Sequence, residues 1–383
     1  MTIPHQRQNP MPDSDRPEAA EQIPHPQLIF TLNLEGSMLL QLLQQPGVLN
    51  ILSKHRYSIA LGLPEFDEEH ATAARLLNEH SIPLVAWLIF ASEDDDAFNA
   101  QNYPQALACY RKFHVWTTEQ QLRFDAIGLE IAPPTEAVRM EKHYVRHIIN
   151  RIRLAHDNVL YPAAQNAYGE LIAMIHRDGY EVHTYQVPLI ADDRRIGTTL
   201  VQRAFDIVDI PTDLEVLMCS SGVPIDALNG DLGGALITSY GPAADAIGVG
   251  GIGELGEEEH ASAWPILHRD LLLAAQFTDV IYIDSLVTCV ERKLLPQLIT
   301  VDWDAPAKAM PLRQGLVTVA RSVLAVALLT SRFGPTVIAW SGWALALLLW
   351  LRGQGFRKYR LPQWRSRLDK RKIDKKTDDN TQT

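Results

Sequence analysis

Eight short apolar runs, separated by amphipathic stretches, organise the chain up to residue 305. They are LIFTLNLEG (28–36), YSIALGLPE (57–65), IPLVAWLIF (82–90), FDAIGLEIAPP (124–134), YEVHTYQVPLI (180–190), LEVLMCSS (214–221), ALITSYGP (235–242) and DVIYIDSL (279–286). Each has the length and β-branched or aromatic content of a buried strand. The intervening stretches, such as FDEEHATAARLLNEH (66–80) and YPQALACYRKFHVWTTEQQ (103–121), repeat apolar residues near helical spacing. The span 134–178 exceeds one crossover and predicts two helices, the second ended by Gly179. Regular strand–helix alternation implies parallel strands with crossover helices. Eight such units match a closed barrel of about 250 residues. An open doubly wound sheet is the alternative, but no glycine fingerprint follows the first run.

A different pattern begins at residue 314, where QGLVTVARSVLAVALLTSRFGPTVIAWSGWALALLLWL runs to 351. Its last nineteen residues, 333–351, carry no charge, close to the ~20 that a helix needs to cross hydrocarbon. Ser331-Arg332-Phe333-Gly334-Pro335 divides the stretch into 316–331 and 335–351, which predicts a tight helical hairpin. Arg321 in the first half is an awkward lipid residue, expected to snorkel or to shorten that span. A single crossing, and a buried helical pair of a soluble domain, are the alternatives. The fold class read from the pattern is α/β: a (β/α)8 TIM barrel at 27–305, then a transmembrane helical hairpin at 314–351. A disordered polar, Pro-rich tail at 1–26 and a basic disordered tail at 352–383 complete the expected organisation.

Charge changes the picture at the C-terminus. Residues 352–383 hold eleven Lys or Arg against four Asp, a net of +7, which leaves −18 of the total −11 on residues 1–351. An acidic body argues against nucleic acid as the main partner, because phosphate must meet positive surface. The basic tail beside an apolar helix reads as a topology signal and a partner for anionic lipid. The first residues lack the apolar core of a secretory signal, so barrel and basic tail are both expected on the cytoplasmic side, which a hairpin permits. Cys109, Cys219 and Cys289 are scattered without a CxxC pattern, so neither a disulfide framework nor a zinc site is expected.

In such a barrel the strand C-termini and following loops form the active face. The polar and aromatic candidates there are Glu35, Glu65, Trp87, Glu130, Tyr185 with Gln186, Ser220, Tyr240 and Asp284. Carboxylates with aromatics at one mouth suit a carbohydrate, whose faces stack on Trp or Tyr while a carboxyl pair performs acid/base work. For any single residue, a loop carboxylate or helix cap is the plainer reading.

The fourth run carries a resemblance. Phe124-Asp125-Ala126-Ile127-Gly128-Leu129-Glu130-Ile131-Ala132-Pro133 resembles the strand-four segment of the chitinase-like barrels of glycoside hydrolase family 18, whose signature is DxxDxDxE. In that family the final Glu protonates the leaving oxygen and the preceding Asp orients the acetamido group. Asp125 matches the first position, Gly128 replaces the second Asp, Glu130 stands for the third, and Ala132 occupies the acid's place. The barrel also resembles a group of bacterial membrane-anchored proteins, through Asn99-Ala100-Gln101-Asn102, Trp116 and Ser285-Leu286. In that group strand eight reads SLEGC, and Val287 departs from its acidic residue. Alanine cannot donate a proton. Glu130, two residues back on the same strand face, would point inward and take over in part. The resemblance singles out Glu130 as the catalytic candidate and adds Asn99 and Asn102 to the substrate-binding set. Glu35, Glu65, Trp87, Tyr185 and Tyr240 enter that set by their place on or after the strands, and Arg195 as a contact for an anionic ligand.

Other motifs are weaker. Asp192 and Asp193 are expected to cap the next helix, with Arg195 available to an anionic ligand. The glycine-rich segment 248–253 lacks a following GKS or GKT and reads as a flexible loop. His143 and His147 share a helical face without the HExxH glutamate, and the acidic run 93–96 lacks calcium-loop spacing, so no metal or other cofactor is expected. The expected function is a membrane-anchored, glycosidase-like barrel binding a saccharide or glycolipid-like ligand, with hydrolysis the weaker expectation. A binding or scaffold protein without chemistry, and an enzyme of another class on the same barrel, are the alternatives.

Overall fold

A computed structural model describes residues 25–91, 97–138, 144–220, 231–251, 263–308 and 310–378. Eight strands, β1 (Gln27–Leu32), β2 (Ser58–Leu63), β3 (Leu84–Leu88), β4 (Ala126–Ile131), β5 (Glu181–Gln186), β6 (Leu214–Met218), β7 (Ala246–Gly250) and β8 (Val280–Asp284), close in sequence order. Every pairing is parallel, and β1 closes on β8 with Gln27 opposite Val280 and Phe30 opposite Ile283. This is the TIM barrel that the alternation predicts.

One run differs from its pattern. ALITSYGP is the helix Gly233–Tyr240 followed by a short 3-10 turn, and β7 comes instead from the glycine-rich segment expected to be a loop. Every residue of β7 is buried, so it shows no alternation, and its glycines serve packing rather than flexibility. Gly250 has φ +124°, and a Cβ there would collide with the Asp284 carbonyl oxygen. The crossover 134–178 holds the helices Thr135–Val138, Tyr144–Leu154 and Leu160–Arg177. Residues 1–24 of the expected tail, the acidic run 93–96, His143 and the last two residues of the glycine-rich segment 248–253 lie outside the described residues, as does the His147 side chain.

Strand alternation divides the core into two layers. Ile29, Ala60, Val85, Ala126, Tyr185, Val216, Ala246 and Tyr282 cluster inside the barrel, with Trp87, Leu214, Met218 and Val280 against them. Residues of the other parity, such as Phe30, Leu61, Ile127 and Ile283, pack beneath the helices. Burying each such side chain is worth about 1.5–3 kcal/mol.

The chain divides into two compact units, one ending at Ser322 and the other beginning at Val323. A single helix, Pro311–Asp378, runs across that point. It has no break at 331–335, so the expected pair of antiparallel helices is one helix, and its backbone stays helical into the basic tail. Pro335 removes one backbone bond, at a cost of about 3 kcal/mol. Ala, Leu, Arg and Gln on both sides are strong helix formers and carry the helix through. The first unit includes the start of this helix. Arg313 pairs with Asp231, and Gln314 Nε2 donates to Thr238 Oγ1 at 3.2 Å. In the second unit, Val323, Val326, Trp340, Trp343 and Leu348 are exposed apolar side chains. The described stretch Pro311–Phe333 is long and apolar enough to cross a membrane by length and composition.

Candidate functional site

The inner face of the barrel is polar and aromatic at its C-terminal rim. Trp87 and Glu130 each stand one residue before the end of their strands, and Tyr185 does so on β5. Tyr185 lies opposite Glu130 in the ladder, and Trp87 opposite Gly128. Gly128 shares the inner face with Ala126 and Glu130, and its missing side chain makes room for Tyr185. A Cβ there would stand 2.6 Å from the Tyr185 hydroxyl oxygen. The Trp87 and Tyr185 rings meet edge to face at 5.8 Å, and Tyr185 meets Tyr282 at 5.2 Å.

Below this layer His183 Nδ1 shares a 2.6 Å hydrogen bond with the Tyr282 hydroxyl, and His183 Nε2 lies 3.9 Å from Glu181. Burial holds His183 down at about 4, against the raising effect of Asp213, so the ring is neutral near pH 7. Burial raises Tyr185 well above its ordinary range, and Tyr282 and the Glu130 charge push the same way, so its hydroxyl stays a proton donor. Among the described residues, the buried Trp87 Nε1 has no hydrogen-bond partner. Asp284, the last residue of β8 and also inward-facing, accepts from Thr31 Oγ1 at 2.8 Å.

The other expected site residues stand apart from this group. Glu35 and Glu65 are exposed in the loops after β1 and β2, and Glu35 caps no helix with its side chain. Asn99 and Asn102 bind each other's turn. Asn102 Oδ1 accepts from Asn99 N at 2.8 Å, Asn99 Oδ1 from Gln101 N at 2.9 Å, and Asn102 Nδ2 donates to Ala97 O at 2.8 Å. That turn docks on the end of β4, where Phe98 N donates to Glu130 O at 2.7 Å and Ala132 N to Phe98 O at 3.2 Å. The two asparagines therefore shape the turn whose Phe98 backbone pairs with the Glu130 carbonyl and the Ala132 amide. Trp116 is buried and donates to Asp67 O at 3.2 Å. Gln186, on the face opposite to Tyr185, is buried, and its amide has no partner among the described residues.

Tyr240 and Arg195 are corrections of a different kind. Tyr240 closes the helix Gly233–Tyr240 rather than a strand, and its hydroxyl donates to Asp192 Oδ2 at 2.8 Å. Arg195 lies 3.2 Å from Asp192 Oδ1. Asp192 is wholly buried and receives Arg321 through Nη2 at 2.9 Å and Nε at 3.1 Å, while that guanidinium sits 3.9 Å from the Tyr240 ring centre. Arg321 also donates to Ser239 O. The arginine expected to snorkel in lipid is thus an ion-pair partner within the barrel unit. Of the two aspartates expected to cap, Asp193 accepts from Gln202 N at 3.0 Å in the helix Leu200–Phe205, whereas Asp192 binds arginines. Strand parity could have located Tyr282 and His183. Only the position of Arg321 inside an apolar run hinted at the Asp192 cluster. Among the described residues no group of His, Cys, Asp or Glu could hold a metal ion.

The class that fold and site define is a TIM barrel with a polar, aromatic mouth. No protein-family profile matches the sequence, and no curated protein matches it. Among solved structures, the chain is similar to the glycoside hydrolase domain of PgaB (BpsB) from Bordetella bronchiseptica, with 9% identity over 71% of this chain and 98% of that one, TM-score 0.39. A D-tagatose 3-epimerase-like protein is similar at 12% identity over 72% of this chain and 98% of that one, TM-score 0.38. Dihydropteroate synthase from Thermus thermophilus is similar at 11% identity over 73% and 94%, TM-score 0.27.

Proposed function

We propose that the barrel mouth binds a saccharide or the sugar of a glycoconjugate, that the apolar helix anchors the barrel to lipid, and that hydrolysis is weak or lost. The observation that carries the binding reading is the buried Trp87 Nε1, a donor with no hydrogen-bond partner among the described residues, on the same inner face as the Tyr185 hydroxyl and the Glu130 carboxylate. A buried donor left unpaired costs about 1–3 kcal/mol, which a ligand hydroxyl would recover. Sugar hydroxyls both donate and accept, so two donors and one carboxylate on an aromatic floor complement them. Hydrolysis needs a proton donor, and Ala132 fills the place where the family resemblance puts it.

The test is calorimetric titration of the detergent-solubilised full chain with chitooligosaccharides and other short oligosaccharides. Hydrogen bonds to a charged group are worth about 1.5–3 kcal/mol, so Glu130→Gln should weaken binding by roughly tenfold or more. Tyr185→Phe should weaken it less. Absence of binding to every sugar, or affinity untouched by both variants, refutes the reading. One observation favours a second reading, glycoside hydrolysis: Asp284 offers another inward carboxylate at the rim. Turnover of aryl glycosides that disappears in Glu130→Gln and in Asp284→Asn would favour it.

A further inference from the structure

We infer that the chain crosses the membrane once, between Phe333 and Leu351, with the barrel on the face opposite to the cytoplasm and the basic tail inside. The inference rests on the proposed lipid anchoring and deepens it by assigning the number of crossings and the side that the mouth faces.

The first apolar half is unavailable for a crossing. Arg321, near its middle, is held by Asp192, which is wholly buried, and its guanidinium lies over the Tyr240 ring. Eight residues earlier, Arg313 is paired with Asp231, which also holds Arg269. Pulling Arg321 into hydrocarbon would leave the buried Asp192 carboxylate only the half-exposed Arg195 and the Tyr240 hydroxyl, and would put an arginine in lipid. Either alone costs several kcal/mol. Residues up to Ser322 accordingly belong to the barrel unit, and the compact units divide at the same place.

What is left suits one passage. The uncharged segment 333–351 has nineteen residues. At about 1.5 Å per residue it reaches roughly 28 Å, close to a hydrocarbon thickness of about 30 Å. The helix continues through Gly334-Pro335 without a turn, so the chain does not double back there. Trp340, Trp343, Leu345, Leu348 and Trp350 are exposed around this segment, as a lipid-facing helix requires.

The flanks set the direction. Residues 352–371 carry eight Lys or Arg, whereas 313–332 carry only Arg313, Arg321 and Arg332, two of which are engaged by barrel aspartates. Positive charge within about 20 residues of a span is retained on the cytoplasmic side. Eight against three places the tail inside. A single crossing then sends the barrel out, the reverse of the side expected from first residues that lack the apolar core of a secretory signal. The mouth would meet saccharides outside the cytoplasm.

Thiol accessibility tests this on the full chain expressed in a bacterial host. Native Cys109 is half-buried and is replaced by Ser, while Cys219 and Cys289 are buried. Single cysteines are placed at exposed Glu119 (Glu119→Cys) and in the tail (Ser366→Cys), then treated with a membrane-impermeant maleimide in spheroplasts before and after lysis. Glu119→Cys should label fully in intact spheroplasts, and Ser366→Cys only after lysis. Equal accessibility of the two sites, or the reverse order, overturns the inference. An alkaline carbonate wash of the membranes separates the two levels. Release of the chain overturns lipid anchoring and this inference with it. Retention with both thiols on one side overturns the single crossing alone.

Discussion

Replacing Arg321 by Met removes a charge while keeping most of an unbranched apolar stem, so the packing loss is small. The charge loss is not. Asp192 has no exposed side-chain surface and Arg321 only 16%, so the pair is screened little by water. Breaking a buried pair on one side typically costs about 3–5 kcal/mol. Here Arg195 at 3.2 Å and the Tyr240 hydroxyl at 2.8 Å still face the carboxylate, but Arg195 is half exposed, which moves the expectation to the low end. Loss of the guanidinium over the Tyr240 ring adds about 1 kcal/mol. A net loss of about 4 kcal/mol, at roughly 2–4 °C per kcal/mol for a barrel-sized domain, lowers the apparent Tm by about 8–16 °C. The assay is thermal unfolding of the detergent-purified full chain, followed by circular dichroism. Adding Asp192→Asn should restore several degrees, because no charge is then stranded. An Arg321→Met protein at least as stable as the parent would refute the reasoning, since a lipid-facing arginine gains nothing from the barrel.

Two further predictions concern the barrel interior. His183 is held at about 4 and takes a proton near 6.5 once unfolded, so the unfolded chain binds more protons between those values. Stability conferred by the neutral ring is therefore complete above pH 6.5 and declines as pH falls, by about 2.5 kcal/mol at pH 4.5. Urea unfolding at pH 7 and 4.5 should show that decline, with a smaller one in His183→Gln; equal declines would exclude His183 as its source. Gly128→Ala places a methyl group 2.6 Å from the Tyr185 hydroxyl and 2.9 Å from its ring. Overpacking of this kind costs about 1–3 kcal/mol, and the shifted Tyr185 should change Trp87 fluorescence. An unchanged spectrum and Tm would mean that the tyrosine does not lie over this glycine.

Much of the barrel is legible in one dimension. Runs such as YSIALGLPE and DVIYIDSL are short, β-branched and bounded by breakers, and parallel strands buried on both faces leave that mark. The failure at β7 has a physical cause. AIGVG is short and two-fifths glycine, which locally resembles a loop, while the small residues answer to Met218 and Asp284 on neighbouring strands. ALITSYGP satisfies a strand pattern just as well as a short buried helix, because an apolar run of that length shows neither period clearly. Glu130 is reachable through its motif, and parity puts it on the inner face with Tyr185. Asn99 and Asn102 stand out in sequence as a loop, but their side chains satisfy backbone groups of their own turn.

The sequence by itself determined the alternation that builds a closed barrel, the acidic body with its basic tail, and a charge-free segment of nineteen residues before that tail. Those properties are local or additive: periodicity, charge count and length survive without knowledge of what touches what. Tertiary structure alone decided that Tyr240 and Arg195 gather around Asp192 instead of Glu130, that His183 meets Tyr282 across the barrel, and that Arg321 belongs to the barrel unit. Most of these contacts join residues tens to more than a hundred positions apart, and a charge's partner depends on distances that closure of the barrel sets.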